Sequence, residues 1–140
     1  MFVGKYEHTV DEKGRVFMPA KFREQLGEQF MLVQGMDKCI FVFSLAEWEE
    51  FSSKLISLPM TNKQAQLVAR RLYSSAAERE PDKQGRVIIT AELREYAAIE
   101  KDALIIGVGN RAEIWSKQVW EEYNSKHEGD YEEALDSLGI

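Results

Sequence analysis

One short stretch occurs twice in this chain, and that duplication limits the fold more than any other feature. Residues 11–24 read Asp11-Glu12-Lys13-Gly14-Arg15-Val16-Phe17-Met18-Pro19-Ala20-Lys21-Phe22-Arg23-Glu24. Seventy-one positions later, Asp82-Lys83-Gln84-Gly85-Arg86-Val87 runs into Ile88-Ile89-Thr90-Ala91-Glu92-Leu93-Arg94-Glu95. Asp, Gly, Arg, Val, Ala, Arg and Glu recur in register. A repeated stretch marks a repeated supersecondary unit. The likeness continues downstream at an offset of 72, where Leu104, Gly107, Ser116 and Trp120 match Leu32, Gly35, Ser44 and Trp48. One residue has therefore been added between the motif and the strands after it. A unit of about 70 residues is marginal alone, because small chains bury too little of their surface. The two halves are expected to share a core, or to associate with further copies.

Each half predicts the same series of elements. Residues 5–10 and 15–18 read as strands joined by the turn Asp11-Glu12-Lys13-Gly14. There an Asp side chain can bond the backbone two residues on, and Gly takes a positive φ. The pattern predicts a hairpin, with Val16 and Met18 on one face and Arg15 and Phe17 on the other. Apolar residues on both sides past Arg15 predict a strand covered on both faces. Pro19 opens a short helix that Gly27 stops, with Phe22 and Leu26 inward. Strands at 30–36 and 39–43 come next. Ser44 and Glu47 then form a capping box for a helix over 45–57, with Leu45, Trp48, Phe51 and Leu55 as its core face. A further helix, capped by Thr61 or Asn62 and running to Ser75, has the stripe Ala65, Val68, Ala69, Leu72 and Ala76. The second half repeats the plan, with strands at 76–81, 86–89, 103–108 and 113–115, a short helix at 91–96 and a helix capped by Ser116. The chain divides into a first repeat (1–58), a bridging helix (59–75), a second repeat (76–123) and an acidic tail (124–140) with a short helix near 130–138. The fold class is α+β.

The formal net charge of −6 argues against a nucleic-acid binder only until its distribution is considered. The tail carries Glu128, Asp130, Glu132, Glu133 and Asp136 against Lys126. Residues 1–23 carry Lys5, Lys13, Arg15, Lys21 and Arg23 against Glu7, Asp11 and Glu12. Binding depends on the local field, so the first motif keeps a basic surface on an acidic protein. The single cysteine, Cys39, lies in an apolar run; it reads as a buried hydrophobe in a chain for a reducing compartment. The N-terminus lacks the features of a signal peptide. No stretch approaches the roughly 20 apolar residues that span a bilayer.

The chemistry-bearing residues narrow the function further. In Asp-x-x-Gly-Arg, Asp11, Gly14, Asp82 and Gly85 are explained by turn formation. Arg15 and Arg86, placed just past a turn, have donor forks that suit phosphates and guanine edges, and Lys13 and Lys83 stand beside them. A calcium loop is rejected, because its closing acid would fall on Phe22 or Leu93. Gly107-Val108-Gly109-Asn110-Arg111-Ala112 matches a dinucleotide fingerprint in form, but strand residues come after the glycines where a helix is required. His8 and His127 lack metal-site spacing, and no nucleophile sits in an activating context. Arg70, Arg71 and Arg79 read as solvated. Nothing in these residues points to an enzyme, a cofactor, a metal or a small-molecule substrate.

The doubled Asp-x-x-Gly-Arg turn, each copy leading into a short helix and a hairpin, resembles the AbrB-like swapped-hairpin DNA-binding domain. The opening Met1-Phe2-x-Gly4-x-Tyr6-x-His8-Thr9-x-Asp11-x-Lys13-Gly14-Arg15, with Gly107-x-x-Asn110-Arg111-x-Glu113-x-Trp115, is similar to the MraZ family over about residues 1–123. That resemblance implies a cytoplasmic, nucleoid-associated, sequence-specific transcription regulator. It implies that both halves build one pseudo-twofold β-barrel with peripheral helices, and that monomers join into rings. The implied partner is double-stranded DNA carrying short direct repeats upstream of the division and cell-wall gene cluster. Lys13, Arg15, Lys83 and Arg86 are the DNA-binding candidates, although Lys83 sits one place earlier in its turn than Lys13. The rival readings are an antitoxin-like DNA-binding protein and a structural ring that does not bind DNA.

Overall fold

The two copies do not fold side by side; they exchange strands. The computed structural model describes residues 1–140. The elements are β1 (Lys5–Thr9), β2 (Arg15–Phe17), α1 (Ala20–Leu26), β3 (Phe30–Gln34), β4 (Ile40–Ser44), α2 (Leu45–Ile56), α3 (Lys63–Ser75), β5 (Ala77–Arg79), β6 (Arg86–Ile88), α4 (Ala91–Tyr96), β7 (Asp102–Gly107), β8 (Ala112–Ser116), α5 (Lys117–Lys126) and α6 (Tyr131–Ser137). Six strands form an antiparallel sheet in the order β1-β7-β8-β4-β3-β5, and β2 pairs with β6 in a separate two-stranded ribbon. This order reads the same from either edge once the copies are interchanged. Equivalent residues face each other at two places, Val16 opposite Val87 in the ribbon and Phe41 opposite Glu113 in the sheet. The pseudo-twofold axis passes between both pairs.

The expected hairpins are therefore present as turns but not as paired strands. The Asp11 N–H donates to the Arg15 carbonyl at 3.0 Å and closes the first turn. The chain then diverges: β1 pairs with β7, and β2 with β6. The second copy does the same, with β5 on β3. Burial accounts for the exchange. A three-residue strand exposes most of its backbone alone; paired across the axis, it places Val16 and Val87 fully inside the core.

That core lies between the ribbon and the sheet. Val16, Met18, Phe22, Val87, Ile89 and Leu93 meet Phe30, Leu32, Ile40, Val42, Ile105 and Ile114. Phe2 and Tyr6 each pack edge-on against Phe22, with centroids 5.4 Å apart. A second cluster on the opposite sheet face joins Val33, Phe41, Phe43, Ile106 and Trp115 with Leu72 of α3. Alternation along β4 sends Ile40 and Val42 to one cluster and Phe41 and Phe43 to the other, so this strand is apolar at nearly every position.

The helices start and stop for local reasons. Pro19 precedes α1, and Gly27 ends it at φ 85°. Ala98, the equivalent position after α4, is also left-handed at φ 55°, so the added residue falls between Ala98 and β7. The side chains of Ser44, Asn62, Thr90 and Ser116 accept from backbone N–H groups in the first turns of α2, α3, α4 and α5. Two expectations about helix faces fail. Leu45 of α2 keeps 40% of its surface exposed while Trp48 and Leu55 are half-buried and Phe51 stacks on Phe43 of the sheet at 5.0 Å, and Val68 of α3 is 50% exposed. Both helices lie on the outside of the sheet and contact it over a strip narrower than their apolar stripe. No helix is long and apolar enough to cross a membrane.

Candidate nucleic-acid interface

The ribbon has one inward and one outward face. Directly opposed residues in an antiparallel pair project to the same side. The register sets Arg15 across from Ile88 and Phe17 across from Arg86. With Val16 and Val87 inward, these four side chains share the outer face. Phe17 is 45% exposed and Ile88 is 50% exposed, so the expected cover over this face is absent. Two cations and two apolar side chains alternate there, in a diagonal related by the pseudo-axis.

Each Arg is held by its own turn. Asp11 accepts from the Lys13 and Arg15 N–H groups at 3.0 and 2.9 Å, and from Arg15 Nε at 2.7 Å. Asp82 accepts from the Gln84 and Arg86 N–H groups at 2.9 and 2.8 Å, and from Arg86 Nε at 2.8 Å. The backbone N–H of Arg15, more than any other contact, holds the Asp11 carboxyl below the usual carboxylate range; that of Arg86 does the same for Asp82. Clamping through Nε leaves the terminal nitrogens of both guanidinium groups without a partner in the chain. That orients a donor fork before any ligand arrives. Lys13 and Lys83 are both exposed. Lys13 occupies the turn place held by Gln84 in the second copy, and Lys83 the place of Glu12.

The turns are braced across the axis by residues to which the sequence alone assigned no role. The Ile89 N–H donates to the Gly14 carbonyl at 2.8 Å, and the Met18 N–H to the Gly85 carbonyl at 3.0 Å. Arg94 Nε donates to the Ile89 carbonyl at 3.1 Å, and Arg23 Nε to the Met18 carbonyl at 3.0 Å. Arg94 thus lies beneath Gly14, and Arg23 beneath Gly85. Both Args recur in the repeat, which was the available signal, but only the strand exchange brings each to the other copy's turn. At the ribbon's flanks the equivalent residues differ: the His8 ring lies 6.0 Å from that of Phe17, whereas Arg79 Nε donates to the Ile88 carbonyl at 2.8 Å.

Comparison with known proteins agrees with the duplication. The chain matches the family described as "MraZ protein, putative antitoxin-like" twice, over residues 1–71 and 72–138. It is 54% identical over 143 residues to a protein of Thermoanaerobacter sp. (strain X514) named "Transcriptional regulator MraZ", with 100% of both chains covered. It is 53% identical to the protein of that name from Caldanaerobacter subterraneus subsp. tengcongensis, covering 99% of this chain and 96% of the other. The protein of that name from Acetivibrio thermocellus is 48% identical, with 100% and 98% covered. Two tandem matches and relatives alike from end to end lead to one conclusion: the chain belongs to the MraZ family.

Proposed function

We propose that this protein is a transcription regulator that binds double-stranded DNA through the outer face of the β2–β6 ribbon. The observation that carries the reading is the shared face of Arg15, Arg86, Phe17 and Ile88, its two donor forks clamped in place by Asp11 and Asp82. A two-stranded ribbon is narrow enough to enter the major groove. Arg15 and Arg86 would read guanine edges, Lys13 and Lys83 would meet phosphates, and Phe17 and Ile88 would lie against thymine methyl groups. The names of the relatives support regulation.

One protomer offers few contacts. The reading therefore includes assembly into a homo-oligomer whose copies engage short direct repeats together, gaining by effective concentration. In this reading the sheet and ribbon together form the AbrB-like barrel, and the target lies upstream of the division and cell-wall gene cluster, in the nucleoid. The test is an electrophoretic shift with DNA from upstream of its own gene. Wild-type protein should shift that fragment and not a scrambled one, and Arg15→Ala should abolish the preference while keeping its fold. Equal binding by wild type and Arg15→Ala would sink the reading. Release of DNA on adding a toxin-like protein co-purified from the host would favour the antitoxin alternative.

A further inference from the structure

At the two flanks of the ribbon the repeat departs from its own pattern, and the departure is one of charge. β1 and β5 are the edge strands of the six-stranded sheet. His8 on β1 stands opposite Ala103, and Arg79 on β5 opposite Phe30. Ala103 and Phe30 both belong to the core between sheet and ribbon. Directly opposed residues project to the same side, so His8 and Arg79 both lean toward the ribbon, one from each sheet edge. They occupy equivalent places in the repeat and are both half-buried. The His8 ring lies 6.0 Å from that of Phe17, which faces Arg86. Arg79 Nε donates to the carbonyl of Ile88, which faces Arg15, and Arg79 Nη1 donates to the Glu78 carbonyl at 3.2 Å. One row across the outer face thus runs Arg86, Phe17, His8, and the other Arg15, Ile88, Arg79.

We propose that His8 and Arg79 are a further pair of DNA contacts, aimed at the phosphates beside the groove, and that only the Arg79 contact is permanent: His8 joins when it is protonated, so affinity for DNA rises as pH falls. Arg keeps its charge at every working pH, whereas His is the side chain that ordinarily changes charge between about pH 5 and 8. Arg79 Nη2 has no partner in the chain, and neither ring nitrogen of His8 is bonded within it. Charged and titratable groups surround His8 on each neighbouring element. Tyr6 shares its side of β1, while Glu7 points the other way and pairs with Lys117 at 2.8 Å. Lys101 and Asp102 lead into β7, with Asp102 opposite Thr9 and so on the far side. β2 brings Arg15, held by Asp11, and β6 brings Arg86, held by Asp82. None of these carboxylates takes the His8 ring, so a phosphate meets no internal rival for it. A phosphate beside the ring favours its charged form, and binding therefore takes up a proton. Asp11 and Asp82, already lowered, stay ionised above about pH 4, so the turns themselves do not change over this range.

This inference rests on DNA binding by the ribbon, and the test separates the two. The full chain is titrated with DNA from upstream of its own gene at about pH 5.5 and about pH 8, at several salt concentrations. For wild type, the fall of log affinity with log salt should be steeper by about 0.9 at the lower pH, the mark of one more phosphate contact. His8→Arg should keep the steep slope at both pH values, and His8→Gln the shallow slope at both. Arg79→His should roughly double the pH response, because both flanks then titrate. His127, the other histidine, is bonded to Asp130 in the tail at 2.9 Å, and His127→Gln should respond as wild type does. Circular dichroism checks that each variant keeps its fold. A wild-type pH response surviving in His8→Gln overturns the proposal. So does a slope in His8→Arg no steeper than that of His8→Gln. Both results leave the DNA reading standing as long as the fragment is preferred over a scrambled one. A wild type without that preference at either pH overturns the DNA reading and this inference with it.

Discussion

Arg94, on the short helix of the second repeat, lies directly beneath Gly14, the turn glycine of the first. A methyl group placed on Gly14 would come within 2.8 Å of Arg94 Nε, and one on Gly85 within 2.8 Å of Arg23 Cζ. Each repeat therefore supplies the floor for the other's turn. Neither turn could keep this support in an isolated half.

Gly14→Ala should destabilise the protein for two separable reasons. Gly14 sits at φ +82°, and a left-handed conformation costs a residue with Cβ about 1–2 kcal/mol. The added methyl must also displace Arg94. Removing the obstruction by Arg94→Ala leaves only the backbone cost, so the double variant should be more stable than the summed single effects by about 0.5–3 kcal/mol. Urea unfolding of the four proteins measures this coupling. Strict additivity would mean that Arg94 does not brace the turn.

If Lys13 meets a phosphate, Lys13→Ala should flatten the dependence of log affinity on log salt by about 0.9 while leaving sequence preference unchanged. Arg86→Ala should instead cost about 1–3 kcal/mol of discrimination per site. Titrations of cognate and scrambled DNA at several salt concentrations separate the two effects. A change of slope with Arg86→Ala alone would reverse the assigned roles.

Phe17 and Ile88 give the same surface an apolar component. Replacing a contacted thymine by uracil removes one methyl and should weaken binding by about 0.8 kcal/mol. Phe17→Ala should abolish the sensitivity at its own contact and keep it at that of Ile88, since the two occupy opposite ends of the diagonal. Footprinting with singly substituted operators locates each contact. Insensitivity to every thymine-to-uracil change would exclude these side chains from the groove.

Asp11 and Asp82 have pKa values lowered in the folded state. Lowered carboxyls stabilise fully above the ordinary Asp value of about 3.9, and their contribution is lost as pH falls through the folded value. The two turns should thus keep their order at neutral pH and loosen only in acid below about pH 4. Because the backbone N–H is the largest cause, Arg15→Ala should leave the Asp11 carboxyl still below the ordinary range. Carboxyl carbon shifts tracked against pH report both. A return of Asp11 to the ordinary value in Arg15→Ala would assign the shift to the guanidinium.

Cys39 should be inert in the folded protein. Burial pushes its thiol up, and the nearby Glu113 carboxylate adds to this. A thiol reagent should react slowly at neutral pH and rapidly in urea. Glu113→Gln should barely quicken the native reaction, because burial is the larger cause. Glu113→Ala should cost about 1.5–3 kcal/mol, since Arg111 and the Trp115 indole N–H both donate to that buried carboxylate. Fast native labelling would show that the strand around Cys39 opens.

The duplication, the two Asp-Gly turns, the caps at Ser44 and Ser116 and the inward pair Phe22 and Leu26 were legible because each depends on residues a few positions apart. Asp11 reaches Arg15 and Lys13 within one turn, so its bonds are written locally. The partner of each short strand was not legible. Val16 faces Val87 rather than a neighbour on β1 because burying both at the axis outweighs a local hairpin, and that comparison involves residues 71 positions apart. The same exchange set Arg23 and Arg94 beneath the opposite turns and left Phe17 outside. The amino-acid sequence by itself determined which residues could make a turn and aim a guanidinium. The tertiary structure decided which residues meet across the axis, and so turned two short motifs into one surface.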